Sequence, residues 1–159
     1  AKGPGGRVGK PGELIKYLAQ KRKISRIIMI DAAVKLEGDV SGEVVEGVGA
    51  AIGGPPTEKY KIEEIAVARK IPIDAIAIKE SFTEAIKPMN KRLARGSEVA
   101  TERVKQALRE RTKPGDVVIV AGIGNTIGIG QMHKDIPSVF PAAPEKRKDE
   151  LESALLPFR

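Results

Sequence analysis

The sequence predicts an α/β fold with a single open, mostly parallel sheet. Three short apolar runs, rich in β-branched residues, are predicted to be buried parallel strands at 26–30, 75–78 and 117–121. Segments of helical period lie between them, and strands that alternate with helices are typical of right-handed crossovers with helices on both sheet faces. The 159 residues, of which 41% are hydrophobic and 31% charged, suffice for one hydrophobic core.

One helix is predicted before the first strand in the sequence, and one between the first and second strands. Pro11 is favoured in a first helical turn, and the segment from there to Lys21 has one apolar face. The second helix is predicted from Thr57, a residue suited to an N-cap, to Lys70. The two apolar faces consist of Leu14, Ile15, Leu18 and Ala19, and of Ile62, Ile65 and Ala66.

Two further helices are predicted after the second strand. Ser81 and Glu84 have the spacing of a capping box, and Pro88 should end or kink the helix that they start. A longer helix is predicted over 97–111, where apolar residues recur at helical spacing. These elements together predict a three-layer, Rossmann-like arrangement. Because three strands make a thin sheet, we expect a strand upstream of residue 1 or a dimer partner to cover an exposed edge.

The chain is predicted to divide into an α/β domain at 1–131 and a proline-rich C-terminal tail at 132–159. Four prolines follow Gln131 and leave room for only one short helix, over 145–156. The chain begins with Ala1 in a glycine-rich segment, so we expect it to be part of a longer protein. Self-association into a homo-oligomer is the expected alternative to truncation.

Composition excludes several classes of site. There is no cysteine, which excludes disulfides and thiolate metal sites, and His133 is the single histidine. No apolar run approaches the roughly 20 residues that cross a bilayer, and no signal peptide is present, so we expect a cytoplasmic chain without a membrane segment. Few Asn and Gln among many Lys, Arg, Glu and Ile are typical of thermophilic proteins.

The net charge of +7 would attract a phosphorylated ligand or a nucleic acid. A nucleic-acid partner is disfavoured, because the five aromatic residues are scattered and no recognition motif is present. A solvated, lysine-rich surface explains the same charge without any partner.

The glycine-rich segment after the third strand carries the most specific motif. Residues 122–128 have the pattern G-x-G-x-x-x-G, a variant of the dinucleotide fingerprint in which glycines let backbone amides approach a pyrophosphate. We expect Gly122, Gly124 and Gly128 to allow this approach and Asn125 and Thr126 to supply polar contacts. A tight structural turn is the alternative interpretation.

Charged residues follow the other strands, and carboxyl ends of parallel strands meet at one edge of a sheet. Asp31 comes directly after the first strand and is expected to contact a metal ion or a ribose hydroxyl. Lys79 follows the second strand, and Arg7 lies in the opening glycine-rich segment. Both are expected to supply positive charge, so the sequence predicts a nucleotide or other phosphorylated ligand at this edge.

Two alternative functions fit the same residues. A metal-dependent hydrolase would use Asp31, Glu37 and Asp39 to bind a divalent cation such as Mg²⁺, which prefers carboxylate oxygens. Glu43 and Glu46 would join them on one face if that stretch is helical. A non-enzymatic oligomerisation domain of a membrane-tethered protein would use the glycine-rich segments only for packing.

Three stretches also carry a family resemblance: KGPGGRVGK at 2–10, IIMIDAAVKLEGDVSGEVVEGVGAAIGG at 27–54 and TKPGDVVIVAGIGNTIGIGQ at 112–131. They resemble an archaeal domain-of-unknown-function family, number fifteen-twelve, over about residues 2–131. The resemblance implies an archaeal origin and a longer protein with an N-terminal hydrophobic segment, hence a membrane tether. It supplies no activity and no catalytic residues.

Overall fold

A computed structural model describes residues 9–53 and 56–124 of the chain. The elements are α1 (Pro11–Lys21), β1 (Arg26–Val34), β2 (Val44–Val48), α2 (Pro56–Arg69), β3 (Ile73–Glu80), α3 (Phe82–Ala85), α4 (Lys91–Arg111) and β4 (Val118–Gly122). The predicted tail with its helix, and the predicted ligand residues Arg7, Asn125, Thr126 and Gly128, lie outside the described residues.

The four strands form one sheet in the order β2-β3-β1-β4. Strand β1 is central and runs parallel to both β3 and β4, with Met29 opposite Ala75 on one side and Ala121 on the other. Strand β2 is antiparallel to β3. The predicted open, mostly parallel sheet is therefore confirmed.

The fourth strand comes from a segment that was predicted to be a loop. Val44–Val48 pairs along β3 and makes the sheet four-stranded, with β4 at the other edge of the described sheet. The expected upstream strand or dimer partner at an edge stays a prediction. Glu46 lies within β2, and the predicted helical face of Glu43 and Glu46 is therefore wrong. The strand was missed because four of its five residues are exposed and Gly47 interrupts it, which leaves no apolar alternation.

Helices cover both faces of the sheet, as predicted. On one face, α1 and α2 pack against β1 through a cluster that includes Ile15, Ile62 and Met29. On the other face, α4 packs against β1 and β3 through Ala100, Ala107, Ile28 and Ile76. In the described part of the chain, no helix is long and apolar enough to cross a membrane.

The helix boundaries differ in part from the prediction. Helix α4 begins at Lys91 rather than residue 97, because the Asn90 side chain caps it by accepting a hydrogen bond from Leu93 N at 2.9 Å. Gly96, which weakened the helix signal, lies inside α4 and packs against the Gly42 backbone. Thr57 lies within α2 and not at its N-cap.

The capping box of α3 is confirmed. Ser81 Oγ accepts from Glu84 N at 3.2 Å, and Glu84 Oε2 accepts from Ser81 N at 3.0 Å. The helix ends at Ala85, before Pro88.

Candidate ligand-binding crevice

The sheet topology opens a crevice between the carboxyl ends of β1 and β3. Strand β1 leads through residues 35–43 across the end of β3 into β2, where Gly42 N donates to Lys79 O, and β3 leads through α3 into α4. Ligands of open α/β sheets commonly bind outside the carboxyl ends of the strands. This is the edge at which the sequence analysis expects the ligand.

A cavity of about 70 Å³ lies at this edge. Its apolar wall consists of Ile30, Ile78, Met89 and Leu93, and its polar lining comes from Asp31, Glu80 and Ser97, with Gly124 beside them. Ligand pockets of proteins usually measure roughly 300–1,000 Å³, so this cavity has room for a few waters or one small functional group. A nucleotide would not fit inside it.

Asp31 lies within β1 rather than after it, because the strand continues to Val34. Its Oδ1 accepts a hydrogen bond from Ala32 N at 2.8 Å and its Oδ2 from Gly53 N at 2.9 Å. Burial raises the pKa of Asp31, while these two N–H groups lower it. The carboxylate thus connects β1 to the segment that leads into α2.

The structure brings Gly124 against Asp31. A Cβ atom at residue 124 would lie 2.8 Å from Asp31 Oδ1 and 3.2 Å from Ala32 N, so a larger residue requires a local shift. Ile123 N donates to Ile30 O at 2.8 Å, which holds this segment on β1. Gly122 has no such constraint, because a Cβ atom there would meet nothing within 4 Å.

Glu80 is the site residue that the sequence analysis did not single out. It is the last residue of β3 and only 3% exposed, and its Oε1 has no hydrogen-bond partner in the described part of the chain. Burial, with a smaller contribution from the charge of Glu84, raises the pKa of Glu80 to about 7. The available signal was an acid at the end of a buried strand, directly before the Ser81 cap.

Glu84 contributes a second carboxylate near Glu80. Burial opposes its ionisation, but hydrogen bonds from Ser81, Ser41 and Asn90 together hold the pKa of Glu84 below its usual range. The Asn90 Nδ2 donates to Glu84 Oε1 at 2.9 Å. Glu84 is therefore charged at neutral pH and disfavours a second negative charge on Glu80.

Lys79 is engaged in ion pairs outside the cavity. Its Nζ lies 2.7 Å from Asp39 Oδ1 and 2.8 Å from Glu43 Oε2. Hydrogen bonds to these two carboxylates raise the pKa of Lys79, and the bond from Lys79 lowers the pKa of Asp39. Successive side chains of a strand point to opposite faces, which separates Lys79 from Glu80.

The acids predicted to bind a metal ion do not converge. Glu37 lies in an exposed turn, and Asp39 is paired with Lys79. Within residues 9–53 and 56–124, no group of three or more Asp, Glu, His or Cys side chains is arranged to hold a metal ion. Asp31, Glu37 and Asp39 therefore do not form such a group.

The N-terminus of α1 already contacts a carboxylate of the chain. Glu58 is 5% exposed, and its Oε2 accepts a hydrogen bond from Gly12 N at 2.8 Å. Its Oε1 lies 2.9 Å from Lys61 Nζ. Free N–H groups at a helix N-terminus commonly bind anions, and here Glu58 is the anion.

Together these features define an α/β domain with a small polar cavity at the carboxyl edge of its sheet. The chain belongs to the family described as the C-terminal domain of DUF1512, a domain of unknown function, whose model matches residues 1–130. In two further comparisons, no curated protein and no solved structure matches the chain.

Proposed function

We propose that this domain binds a small phosphorylated ligand, such as a nucleotide, at the crevice between the carboxyl ends of β1 and β3. The close contact of Gly124 with Asp31 beside the cavity is the observation that carries the proposal. It sets the start of the glycine-rich sequence 122–130 at the edge where α/β domains commonly bind ligands.

The charges of the crevice favour one orientation of the ligand. Asp31, Glu80 and Glu84 surround or approach the cavity, so a phosphate group inside it would be repelled. In this proposal the phosphate contacts the glycine-rich segment that begins at Gly122, where Asn125, Thr126 and Gly128 are the predicted partners. The cavity then receives an uncharged or cationic part of the same ligand.

Mg²⁺ enters the proposal as an optional partner of the phosphate. Proteins usually bind Mg²⁺ through one or two carboxylates together with substrate phosphates and water. Asp31 is the predicted protein ligand at this edge. Its two carboxylate oxygens already accept backbone N–H bonds, so Mg²⁺ would use their remaining lone pairs.

Chemical denaturation with a ligand panel tests the proposal. The panel holds inorganic phosphate and nucleoside mono- and diphosphates, each with and without MgCl₂ at one salt concentration. A bound ligand at about 100 times its dissociation constant adds about 2.7 kcal/mol to the free energy of unfolding. If no ligand of the panel raises the free energy of unfolding of the wild-type protein, the proposal is contradicted.

A pair of glycine variants locates the site. Gly124→Val places a side chain against Asp31 and should remove the ligand-induced shift. Gly47→Val is the matched control, because a Cβ atom at Gly47 meets nothing within 4 Å and β2 lies across β3 from the crevice. We expect this control to keep the shift.

Self-association is the second candidate function. Leu14 was predicted on the apolar face of α1, but it is exposed, as are Tyr17 on the same helix and Tyr60 and Val67 on α2, each by more than half. Exposed apolar side chains on neighbouring helices are a feature of protein interfaces. Sedimentation of the wild-type chain and of Val67→Glu tests this: a dimer that the variant dissociates supports the candidate, and a monomer at high concentration contradicts it.

A further inference from the structure

We infer that the cavity beside Glu80 is a subsite for the primary ammonium group of the ligand, with Glu80 as the carboxylate that binds it. The inference rests on the proposed phosphate-binding function and names the second chemical group of that ligand. It identifies the ligand class as a small phosphorylated amine.

Glu80 offers an acceptor that no described residue uses. The residue is 3% exposed and lines the cavity, and within residues 9–53 and 56–124 its Oε1 has no hydrogen-bond partner. Buried side-chain acceptors in native proteins nearly always have a partner, and an exception calls for an explanation such as a bound ion or water. The free oxygen therefore indicates a donor other than the residues that the structure describes.

The surroundings of Glu80 favour a cationic donor. The charge that acts on Glu80 is the carboxylate of Glu84, and among the described residues Glu80 Oε1 accepts no hydrogen bond. Lys79, the adjacent residue, binds Asp39 and Glu43. A cation in the cavity would balance charge that the described residues leave uncompensated.

The walls of the cavity fit an organic cation better than a metal ion. Mg²⁺ needs near-octahedral oxygen ligands and keeps several waters, whereas Ile30, Ile78 and Leu93 present only apolar surface. A primary ammonium on a short alkyl chain would pack its methylene groups against these residues. The cavity volume of about 70 Å³ is suited to a group of that size.

Ser97 supplies a second acceptor for the ammonium group. Its hydroxyl donates to Leu93 O at 3.1 Å, which fixes the hydrogen and leaves the lone pairs of Oγ free. An ammonium group has three donors. Glu80 Oε1, Ser97 Oγ and one water would satisfy all three.

Calorimetric titration with three small probes tests the inference. O-phosphoethanolamine carries both groups, glycerol phosphate lacks the amine, and ethanolamine lacks the phosphate. We expect the wild-type protein to bind O-phosphoethanolamine about tenfold more tightly than glycerol phosphate, as a charge-assisted hydrogen bond provides. Glu80→Gln should abolish this preference and keep the affinity for glycerol phosphate.

Control variants and alternative outcomes separate the two proposals. Glu102→Gln, an exposed carboxylate on α4 away from the cavity, should keep the preference. Equal affinity of the wild-type protein for the two phosphates, or a preference retained by Glu80→Gln, would overturn the inference while leaving phosphate binding intact. If neither phosphate binds, the proposed function fails, and ethanolamine binding that Glu80→Gln abolishes would still support the ammonium subsite.

Mg²⁺ alone is the remaining probe. Binding of MgCl₂ by the wild-type protein that Glu80→Gln abolishes would make the cavity a metal site and overturn the ammonium assignment. Circular dichroism of Glu80→Gln establishes that the variant is folded. We expect it to fold, because Gln has the shape of the neutral acid.

Discussion

Two buried carboxylic residues at opposite ends of β3 have contrasting surroundings. Near the amino end, Asp74 is 6% exposed and accepts hydrogen bonds from Arg26 and Arg111, each at 2.7 Å. At the carboxyl end, Glu80 is 3% exposed and its Oε1 has no partner among the described residues. Arg26 Nε at the amino end also lacks a hydrogen-bond partner there, but the carboxylate of Asp74 is paired, whereas the acid at the carboxyl end has an unpaired oxygen beside a cavity.

The difference shows which buried acid serves the fold. Asp74 joins β3 to β1 through Arg26 and to the end of α4 through Arg111, so its charge is compensated by groups on two other elements. Glu80 Oε1 has no hydrogen-bond partner within residues 9–53 and 56–124, and burial of an unpaired carboxylate oxygen costs stability. A cost of this kind is typical of binding and catalytic sites.

The largest effect is expected for Asp74→Asn. The variant leaves the half-buried Arg26 and the more exposed Arg111 without their anion, and breaking a buried pair in this way costs about 3 kcal/mol. Urea unfolding at pH 7 measures the loss. A loss below about 1 kcal/mol would show that the amino end is not held by this carboxylate.

Glu80 should make stability fall as pH rises. Burial raises the pKa of Glu80 from 4.5 to about 7 in the folded protein, so folding takes up a proton between these pH values. The contribution of Glu80 to the free energy of unfolding is therefore fully present below pH 4.5, and it is lost as the pH rises to 7. The full loss is on the order of 3 kcal/mol. Urea unfolding from pH 5 to 8 measures it.

Glu80→Gln is the matched comparison for this pH dependence. The amide cannot ionise, so the variant should be more stable than the wild-type protein at pH 8 and about equal to it near pH 5. If the difference in free energy of unfolding between the wild-type protein and Glu80→Gln does not change with pH, Glu80 is not an uncompensated buried acid.

A smaller effect is expected for Gly124→Ala in the absence of ligand. The added Cβ atom comes within 2.8 Å of Asp31 Oδ1, and overpacking of this kind costs about 1–3 kcal/mol. Gly122→Ala is the control, since its Cβ atom meets nothing within 4 Å. Equal urea midpoints for the two variants would mean that Gly124 is not held against Asp31.

The smallest effect is expected for Lys79→Met. The Lys79 ammonium group forms ion pairs with Asp39 and Glu43, and neither acid lines the cavity. The variant should therefore keep the ligand-induced increase in the free energy of unfolding. Its free energy of unfolding should change by no more than the extrapolation error of urea unfolding. Loss of the shift would return Lys79 to the binding site, as the sequence first predicted.

The sheet and most helices could be predicted because periodicity and capping are local signals. The apolar strand runs, Pro11 and the Ser81–Glu84 box all act within a few residues, and each element that they predict is present. Strand β2 could not be predicted, because its pairing with β3 depends on backbone contacts across more than 25 residues and not on its own side chains.

The candidate site was predictable only in part. The meeting of Asp31 and Gly124 follows from a topological rule, since both lie near carboxyl ends of neighbouring parallel strands. The ion pairs of Lys79 and the isolation of Glu80 do not follow from such a rule. They depend on which side chains the tertiary packing brings within hydrogen-bond distance. Lys79 and Glu80 are adjacent in sequence, yet Lys79 has two ion pairs and Glu80 Oε1 has no partner among the described residues.

Carbon NMR of the Glu80 carboxyl group, titrated from pH 4 to 9 with and without O-phosphoethanolamine, tests the central claim most directly. The claim is that the carboxyl end of β3 leaves this acid without a partner until a cationic ligand binds. We predict a pKa of about 7 in the free protein and a lower value with the ligand present. A pKa near 4.5 that the ligand does not change would contradict the claim.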